Sequence, residues 1–451
     1  MAYEKLITLN KMDGYWQKKN FFPLAHQIEV ADKVVNNLQG RALLADEVGL
    51  GKTIEAGLIL KEYLLREKIS NCLILTPASL AYQWWQELSD KFDIDVFNNR
   101  KGRSWKYFDI VIGSLDRAKL EPHRSKIIER DFDMVIVDEA QHLKNKQTKN
   151  WQFINSLATE YLLLLTATPL ENNLAELSNL LKLLKPKVKD KLKESTNSRK
   201  KILKETLNKY MLRNSRQQLN EISKNRKVKS CYLSLSPEEK KIYYQLEELI
   251  TDKFTLLTLQ RELCSSPLAV IKTIDILLQK EKVEQKEAEK LINLLAQVEE
   301  NNKVRNLKNI INNQSGKYII FTRYKASQYY LNYHLKQAGY NTFLFSGDLS
   351  ENKKEFVKRL FKEQGDILIS TEAGAQGINL QFCNQIINYD LSWNPMKLEQ
   401  RAGRIHRLGQ AKDVLIYNLI TEDTIEETLE ERLTEKINLF KEMIGDVERI
   451  I

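Results

Sequence analysis

Two short stretches of this chain carry residue types suited to a phosphoanhydride. Ala42-Leu43-Leu44 leads into DEVGLGKT, Asp46 to Thr53. Gly49 and Gly51 let backbone N–H groups turn toward phosphate oxygens, and the helix expected from Ile54 onward points its N-terminus at the anion. Lys52 can then reach the β/γ-phosphates, and Thr53 can ligate magnesium. Asp46 stands where the general pattern has its first glycine. The second stretch, Asp138-Glu139-Ala140-Gln141, follows the apolar run Met134-Val135-Ile136-Val137. An acidic pair at the end of a buried strand is costly unless a cation sits there. Asp138 is expected to hold Mg2+ through water, and Glu139 to orient and deprotonate an attacking water. Together the two stretches imply ATP hydrolysis.

A third stretch, EQRAGRIHRLGQ from Glu399 to Gln410, repeats Arg401, Arg404 and Arg407 every third residue. On a helix these would share a face. Arginine delivered from a second domain can neutralise charge developing on a transferring γ-phosphoryl group.

These residues need elements to hold them. From about Leu24 to Leu184, apolar runs alternate with helical stretches; the expected strands are Ala42–Leu44, Cys72–Leu75, Ile110–Ile112, Met134–Val137 and Leu162–Leu165. The rhythm returns between Lys303 and Ile420, in Tyr318–Phe321, Phe343–Phe345, Ile367–Ile369, Gln385–Tyr389 and Val414–Leu419. Continuous apolar strands alternating with helices imply two α/β domains, each a parallel sheet covered on both faces, with ligands beyond the carboxyl ends of the strands. Between them lies a charged, glycine-poor, helical stretch, and Thr424 to Ile451 again reads as helix.

Length and composition agree. The 451 residues suit two or three domains, 42% hydrophobic content fills ordinary cores, and no run is long enough to span a membrane. The start lacks the pattern of a secretory signal, so a cytoplasmic protein is expected. Cys72, Cys231, Cys264 and Cys383 are far apart and histidines number 5, so no zinc site is expected. The net charge of +10 is local: residues 185–230 hold 16 Lys and Arg against 4 acidic residues. That block is either a solvated helical face or a nucleic-acid contact.

At this point the chain resembles a superfamily-two helicase-like ATPase of the Swi/Snf type, and its spelling ADEVGLGKTIEAG is especially similar to the bacterial RapA branch. PLAHQ, LTPASLAYQWWQEL, VIGSLDRAK, VDEAQHLKN and LLLTATPLENN come in that family's order, followed by YIIFTRY, ISTEAGAQGINLQFCNQIINYDLSWNP and QRAGRIHRLGQ. Asp46 is usual in the family's first motif, whereas Gln141 departs from the histidine most relatives carry. The resemblance implies that Gln27 contacts adenine, that Arg404 and Arg407 are arginine fingers, and that Gly377 and Asn379 sense nucleotide and strand together. It also implies that Ser114, Thr322, Arg323, Thr371 and Trp393 touch nucleic acid, although Trp393 reads equally well as a core or interface residue.

The resemblance further implies two RecA-like lobes, residues 1–215 and 303–423, a helical insertion and linker over 216–302, and a helical tail over 424–451. The basic block that begins near residue 185, with YMLRNSRQQL (Tyr210 to Leu219), and the helices after it match the family's inter-lobe insertion. The expected activity is ATP-driven translocation on double-stranded DNA that displaces or remodels bound protein without separating strands. A protein cargo or partner subunit would supply targeting. The alternatives are a strand-unwinding DNA or RNA helicase and a motor subunit that regulates a larger complex.

Overall fold

The computed structural model describes residues 21–99, 104–171, 173–184, 196–216, 225–372, 374, 378–407, 409–445 and 450–451. The chain divides into two compact units, Met1–Glu221 with Phe440–Asp446, and Ile222–Leu439 with Val447–Ile451.

The first unit is built on a seven-stranded sheet in the order β3-β4-β2-β5-β6-β1-β7, parallel throughout. Its strands are β1 (Arg41–Leu44), β2 (Cys72–Thr76), β3 (Phe97–Asn98), β4 (Ile110–Ser114), β5 (Met134–Val137), β6 (Tyr161–Leu165) and β7 (Met211–Leu212). Every residue of β2, β5 and β6 is buried, as expected of strands covered on both faces. One face packs Ile54, Leu58, Trp84, Leu88 and Phe92 from the helices Lys52–Leu65 and Ala81–Phe92. Gly57 lets these two helices meet, because a Cβ there would strike the Phe92 ring at 2.5 Å.

The second unit carries a six-stranded parallel sheet in the order β10-β11-β9-β12-β13-β8. Here β8 is Arg226–Leu233, β9 Tyr318–Thr322, β10 Thr342–Phe345, β11 Ile367–Thr371, β12 Gln385–Asn388 and β13 Val414–Thr421. Strand β8 differs from the sequence expectation, which placed its residues in a helical linker. It pairs with β13 from Arg226↔Val414 to Leu233↔Thr421. Lys227 and Lys229 are exposed on this edge strand, the Arg226 side chain is buried in an ion pair with Glu399 at 2.8 Å, and these charges mask its strand character. The strands β3 and β7, each of 2 residues, are too short to leave a periodic signal.

Between β8 and β9 the helices Pro237–Leu249, Lys253–Ser265, Pro267–Gln279 and Gln285–Ala296 enclose their own apolar core, including Ile242, Leu246, Leu263, Ile274 and Leu291. Their starts are written locally. Ser236 and Glu239 form a capping box ahead of Pro237, Asp252 caps Thr255 N–H, and Ser266 caps Ala269 N–H. The tail forms the helix Ile425–Met443, with Leu429, Leu433 and Phe440 buried. Among the described residues no helix is long and apolar enough to cross a membrane.

Glu426, in the first turn of that tail helix, is buried, and both its oxygens accept from Lys303 Nζ, at 2.6 and 2.8 Å. Removing one partner strands the other charge. Lys303→Met is therefore expected to destabilise the second unit by about 3–5 kcal/mol. Adding Glu426→Leu should restore most of that loss, and urea unfolding of both variants checks the pair.

Candidate nucleotide site and strand-end residues

The loop between β1 and the helix Lys52–Leu65 turns through Gly49 and Gly51, at φ 90° and 93°, where a side chain would be strained. A Cβ on Gly51 would also collide with the Gln27 amide. Lys52 Nζ donates to the carbonyls of Asp46 (2.5 Å) and Glu47 (3.2 Å). Burial lowers its pKa, while Asp46, Glu55, Glu139 and Asp138 oppose that shift. Thr53, half-buried, is the second residue of the helix.

Residues distant in sequence fix the loop's shape. Asp46 is fully buried and accepts from Asn214 N at 2.8 Å and from Asn214 Nδ2 at 3.1 and 3.2 Å. Glu47 accepts from Arg216 N at 3.0 Å, and the guanidinium groups of Arg213 and Arg216 lie 3.6 and 3.9 Å from its carboxylate. Arg216 also donates to the Val48 carbonyl. On the opposite side, His26 Nε2 lies 3.1 Å from Leu50 O, and Gln27 Nε2 donates to that oxygen at 2.9 Å. Gln27 Oε1 accepts from Leu24 N, so an adenine contact would use the remaining amide N–H. Glu55 is buried beside Asp46; burial first, then the Asp46 charge, push its pKa well above the carboxylate range. Donor atoms of His26, Asp46 and Glu55 lie within 4.8 Å of one another. Asp46 in this cluster is already held by Asn214, so its carboxylate shapes the loop.

Asp138 and Glu139 stand at the carboxyl end of β5. Asp138 Oδ2 accepts from Trp84 Nε1 at 2.8 Å, and Oδ1 accepts from Glu139 N at 2.8 Å. Burial, then the Glu139 charge, push the Asp138 pKa up to about 6, against the pull of both hydrogen bonds and Lys52. Asp138 and Thr53, both half-buried, are the hard oxygen donors that magnesium would take. Glu139 has φ 51°, a left-handed conformation that is uncommon for a side-chain-bearing residue and that turns the chain sharply after the strand. Its Oε2 accepts from Gln141 Nε2 at 2.5 Å, and Gln141 Oε1 accepts from Thr166 Oγ1 at 2.7 Å. Gln141, a departure from the common motif spelling, thus bridges Glu139 to the end of β6.

In the second unit the three arginines do not share a helix face. The helix Pro395–Ala402 ends before Gly403, so only Arg401 is helical, while Arg404 and Arg407 lie in the turns that follow. Arg401 is buried and donates to Asn388 Oδ1 (2.8 Å), Asp390 O (2.8 Å) and Glu372 Oε1 (3.0 Å). Arg404 is buried, whereas Arg407 is half-buried and donates through Nε to Gly403 O at 2.8 Å.

The strand-end residues separate into two groups. Ser114 ends β4 and Thr371 ends β11, both half-exposed, and the Arg323 side chain is exposed just beyond β9. Thr322, in contrast, is fully buried and donates to Asp390 Oδ2 at 2.6 Å, so its hydroxyl serves the fold. Trp393 is half-buried, with the Arg261 and Arg432 guanidiniums 4.8 and 5.7 Å from its ring centroid. Asn379 is exposed and bonds Gln381 at 2.9 Å. Gly377 lies outside the described residues, as do Lys187, Lys189 and Lys191 of the basic block. Lys200, in that block, pairs with Glu442 at 2.8 Å.

Residues 26–307 match the SNF2-related domain, and residues 302–409 match the helicase conserved C-terminal domain. The chain belongs to the SNF2-related family. It is similar to an uncharacterized ATP-dependent helicase, YqhH, of Bacillus subtilis, with 45% identity over 96% of this chain and 81% of the relative. It is also 26% identical to the RNA polymerase-associated protein RapA of Haemophilus influenzae, over 93% of this chain but only 47% of RapA. The helicase domain of Hef from Pyrococcus furiosus shares the fold, at TM-score 0.56 and 15% identity, over 91% of this chain and 98% of that one. As a SNF2-family member the protein is an ATP-hydrolysing enzyme with two parallel-sheet α/β lobes.

Three residues around the SNF2-family site carried no catalytic signal in the sequence. Asn214 and Arg216 lie in YMLRNSRQQL, which reads as part of the insertion; the 2-residue strand β7 returns that stretch to the loop. Trp84 sits on a helix spacing that also describes an ordinary core residue. The Gln141 bridge generates a prediction: Gln141→Leu should slow ATP turnover at least about tenfold through misplacement of Glu139. Affinity for a fluorescent ADP, measured by titration, should stay near wild type, since the phosphate loop is untouched.

Proposed function

We propose that this chain moves along double-stranded DNA on the energy of ATP and displaces or remodels proteins bound to it, without separating the strands. The observation that carries the reading is the chemistry of the strand ends. Ser114, Thr371 and Arg323 offer hydroxyls and a guanidinium suited to phosphates, and Trp393 offers a ring flanked by two arginines. Such contacts position a backbone and carry no sequence information, which suits a motor that must step past any base pair. Membership in the SNF2 family supports the motor itself. The names of relatives support the cargo: RapA is an RNA polymerase-associated protein, and a relative from Arabidopsis thaliana, 28% identical over 89% of this chain and 36% of its own length, is a CHD3-type chromatin-remodeling factor.

In this reading Gly49, Gly51, Lys52 and Thr53 hold the phosphates of ATP, with Asp46 shaping the loop, Gln27 beside the base and Gly377 in the sensing segment. Thr53 and Asp138 would hold magnesium, which when bound would supply positive charge to the phosphates. Glu139 orients and deprotonates the attacking water, and Arg404 and Arg407 counter the charge that develops as the phosphoryl group transfers. A protein partner supplies the address on DNA.

Glu139→Gln is expected to bind fluorescent ATP normally and to turn it over at a small fraction of the wild-type rate; near wild-type turnover would remove Glu139 from the role of base. Arg404→Ala should lower turnover by about a thousandfold or more, with nucleotide affinity changed only a few-fold. The substrate is tested by ATPase stimulation with duplex DNA, single-stranded DNA and RNA, alongside triplex displacement and strand separation. Duplex stimulation with triplex displacement and no strand separation is the expected pattern. Strand separation would instead make the chain an unwinding helicase.

A further inference from the structure

The carboxylate of Asp138 is held by two neutral donors, one of them from an element with no part in the reading above. Trp84 lies in the helix Ala81–Phe92, with its ring fully buried in the same apolar core as Leu88 and Phe92. Its Nε1 donates to Asp138 Oδ2 at 2.8 Å, while Oδ1 accepts the Glu139 N–H at 2.8 Å. The carboxylate plane is therefore fixed at both oxygens. An indole N–H only donates and carries no charge. It can orient the group without cancelling the negative charge that a cation needs, whereas a lysine at the same place would compete with the cation. The packed ring cannot swing aside, so the orientation is set before any ligand arrives. We propose that Trp84 is a positioning residue for magnesium: it presents the Asp138 carboxylate in the orientation that binds the hydrated ion. The proposal rests on the assignment of Asp138 as the magnesium-holding carboxylate.

A buried indole also needs an acceptor simply to be stable, so the test must see more than stability. Two replacements in the full chain separate the roles. Trp84→Phe keeps an aromatic ring, and β-(3-benzothienyl)alanine placed at position 84 keeps the ring size with sulfur in place of N–H. The readout is the affinity of fluorescent ADP as a function of Mg2+ concentration, with kcat and the KM for Mg-ATP measured in parallel. In both variants the Mg2+ concentration that half-saturates the gain in ADP affinity should rise about tenfold. Affinity for ADP without Mg2+ should stay at the wild-type value, and the KM for Mg-ATP should rise at limiting Mg2+ and recover at saturating Mg2+. If the variants fold and their Mg2+ dependence is that of wild type, Trp84 is structural only and the proposal fails. Should Trp84→Phe not fold, the benzothienyl variant alone decides. Asp138→Asn tests the underlying assignment separately. If it keeps wild-type Mg2+ dependence, Asp138 is not the magnesium carboxylate. If it loses that dependence while both position-84 variants keep it, only the role of Trp84 is overturned.

Discussion

Two adjacent buried carboxylates, Asp46 and Glu47, set the terms for the first unit. Each is almost inaccessible to water, where a polar group without hydrogen-bond partners is costly. Their partners, Asn214 and Arg216, arrive 168 and 169 residues later. The loop from Asp46 to Gly51 is thus not a local motif that folds by itself. It takes its shape when the chain has completed the sheet and added β7 alongside β1, so that Leu212 O accepts Ala45 N–H and Asn214 O accepts Glu47 N–H. The loop's backbone is pinned at the same time as its charges. In the proposed phosphate-binding role such rigidity is useful, because ordering the loop at the moment of binding would cost affinity. Here the rigidity comes from hydrogen bonds to charged groups with no water to exchange for.

A similar economy appears at the end of β5. One residue, Glu139, adopts a left-handed backbone, and its side chain is taken up by Gln141, which leads to Thr166 at the end of β6. Glutamine suits this relay because its amide donates in one direction and accepts in the other. The second unit uses a single carboxylate oxygen in a comparable way: Asp390 Oδ2 accepts from Ser265 Oγ, Thr322 Oγ1 and Arg323 N. Strand end and helical insertion meet at that atom.

What the sequence made legible follows from how locally each feature is encoded. The apolar runs of β2, β5, β6, β9 and β12 are buried on both faces, so their composition alone announces them. Gly49, Gly51, Lys52 and Asp138-Glu139 also stand out in the sequence, because the proposed phosphate chemistry would use those types within a few positions. Three kinds of feature were hidden. Strand β8 is disguised by the lysines that an exposed edge tolerates. The helix expected to carry Arg401, Arg404 and Arg407 on one face stops at Ala402, since every-third spacing does not reveal that Gly403 ends it. The roles of Trp84, Asn214 and Thr322 depend on which side chain lies opposite in space, and a single sequence does not contain that information. Thr322 shows the point best: its position suggests a ligand contact, and its hydroxyl is spent on Asp390.

The helices between β8 and β9 begin and end at nearly the same place. Asn302 Nδ2 donates to Ser234 O at 2.7 Å and Asn302 N to Glu239 Oε2 at 3.2 Å, with 68 and 63 residues of sequence between the partners. Closing a long excursion at its base makes the cost of its length nearly flat, because loop-closure entropy grows only with the logarithm of the number of residues. The sheet therefore senses the stitched base far more than the amount of chain beyond it. Such a junction is a port: helices can be lengthened, shortened or exchanged there over evolutionary time while the strands on either side keep their register.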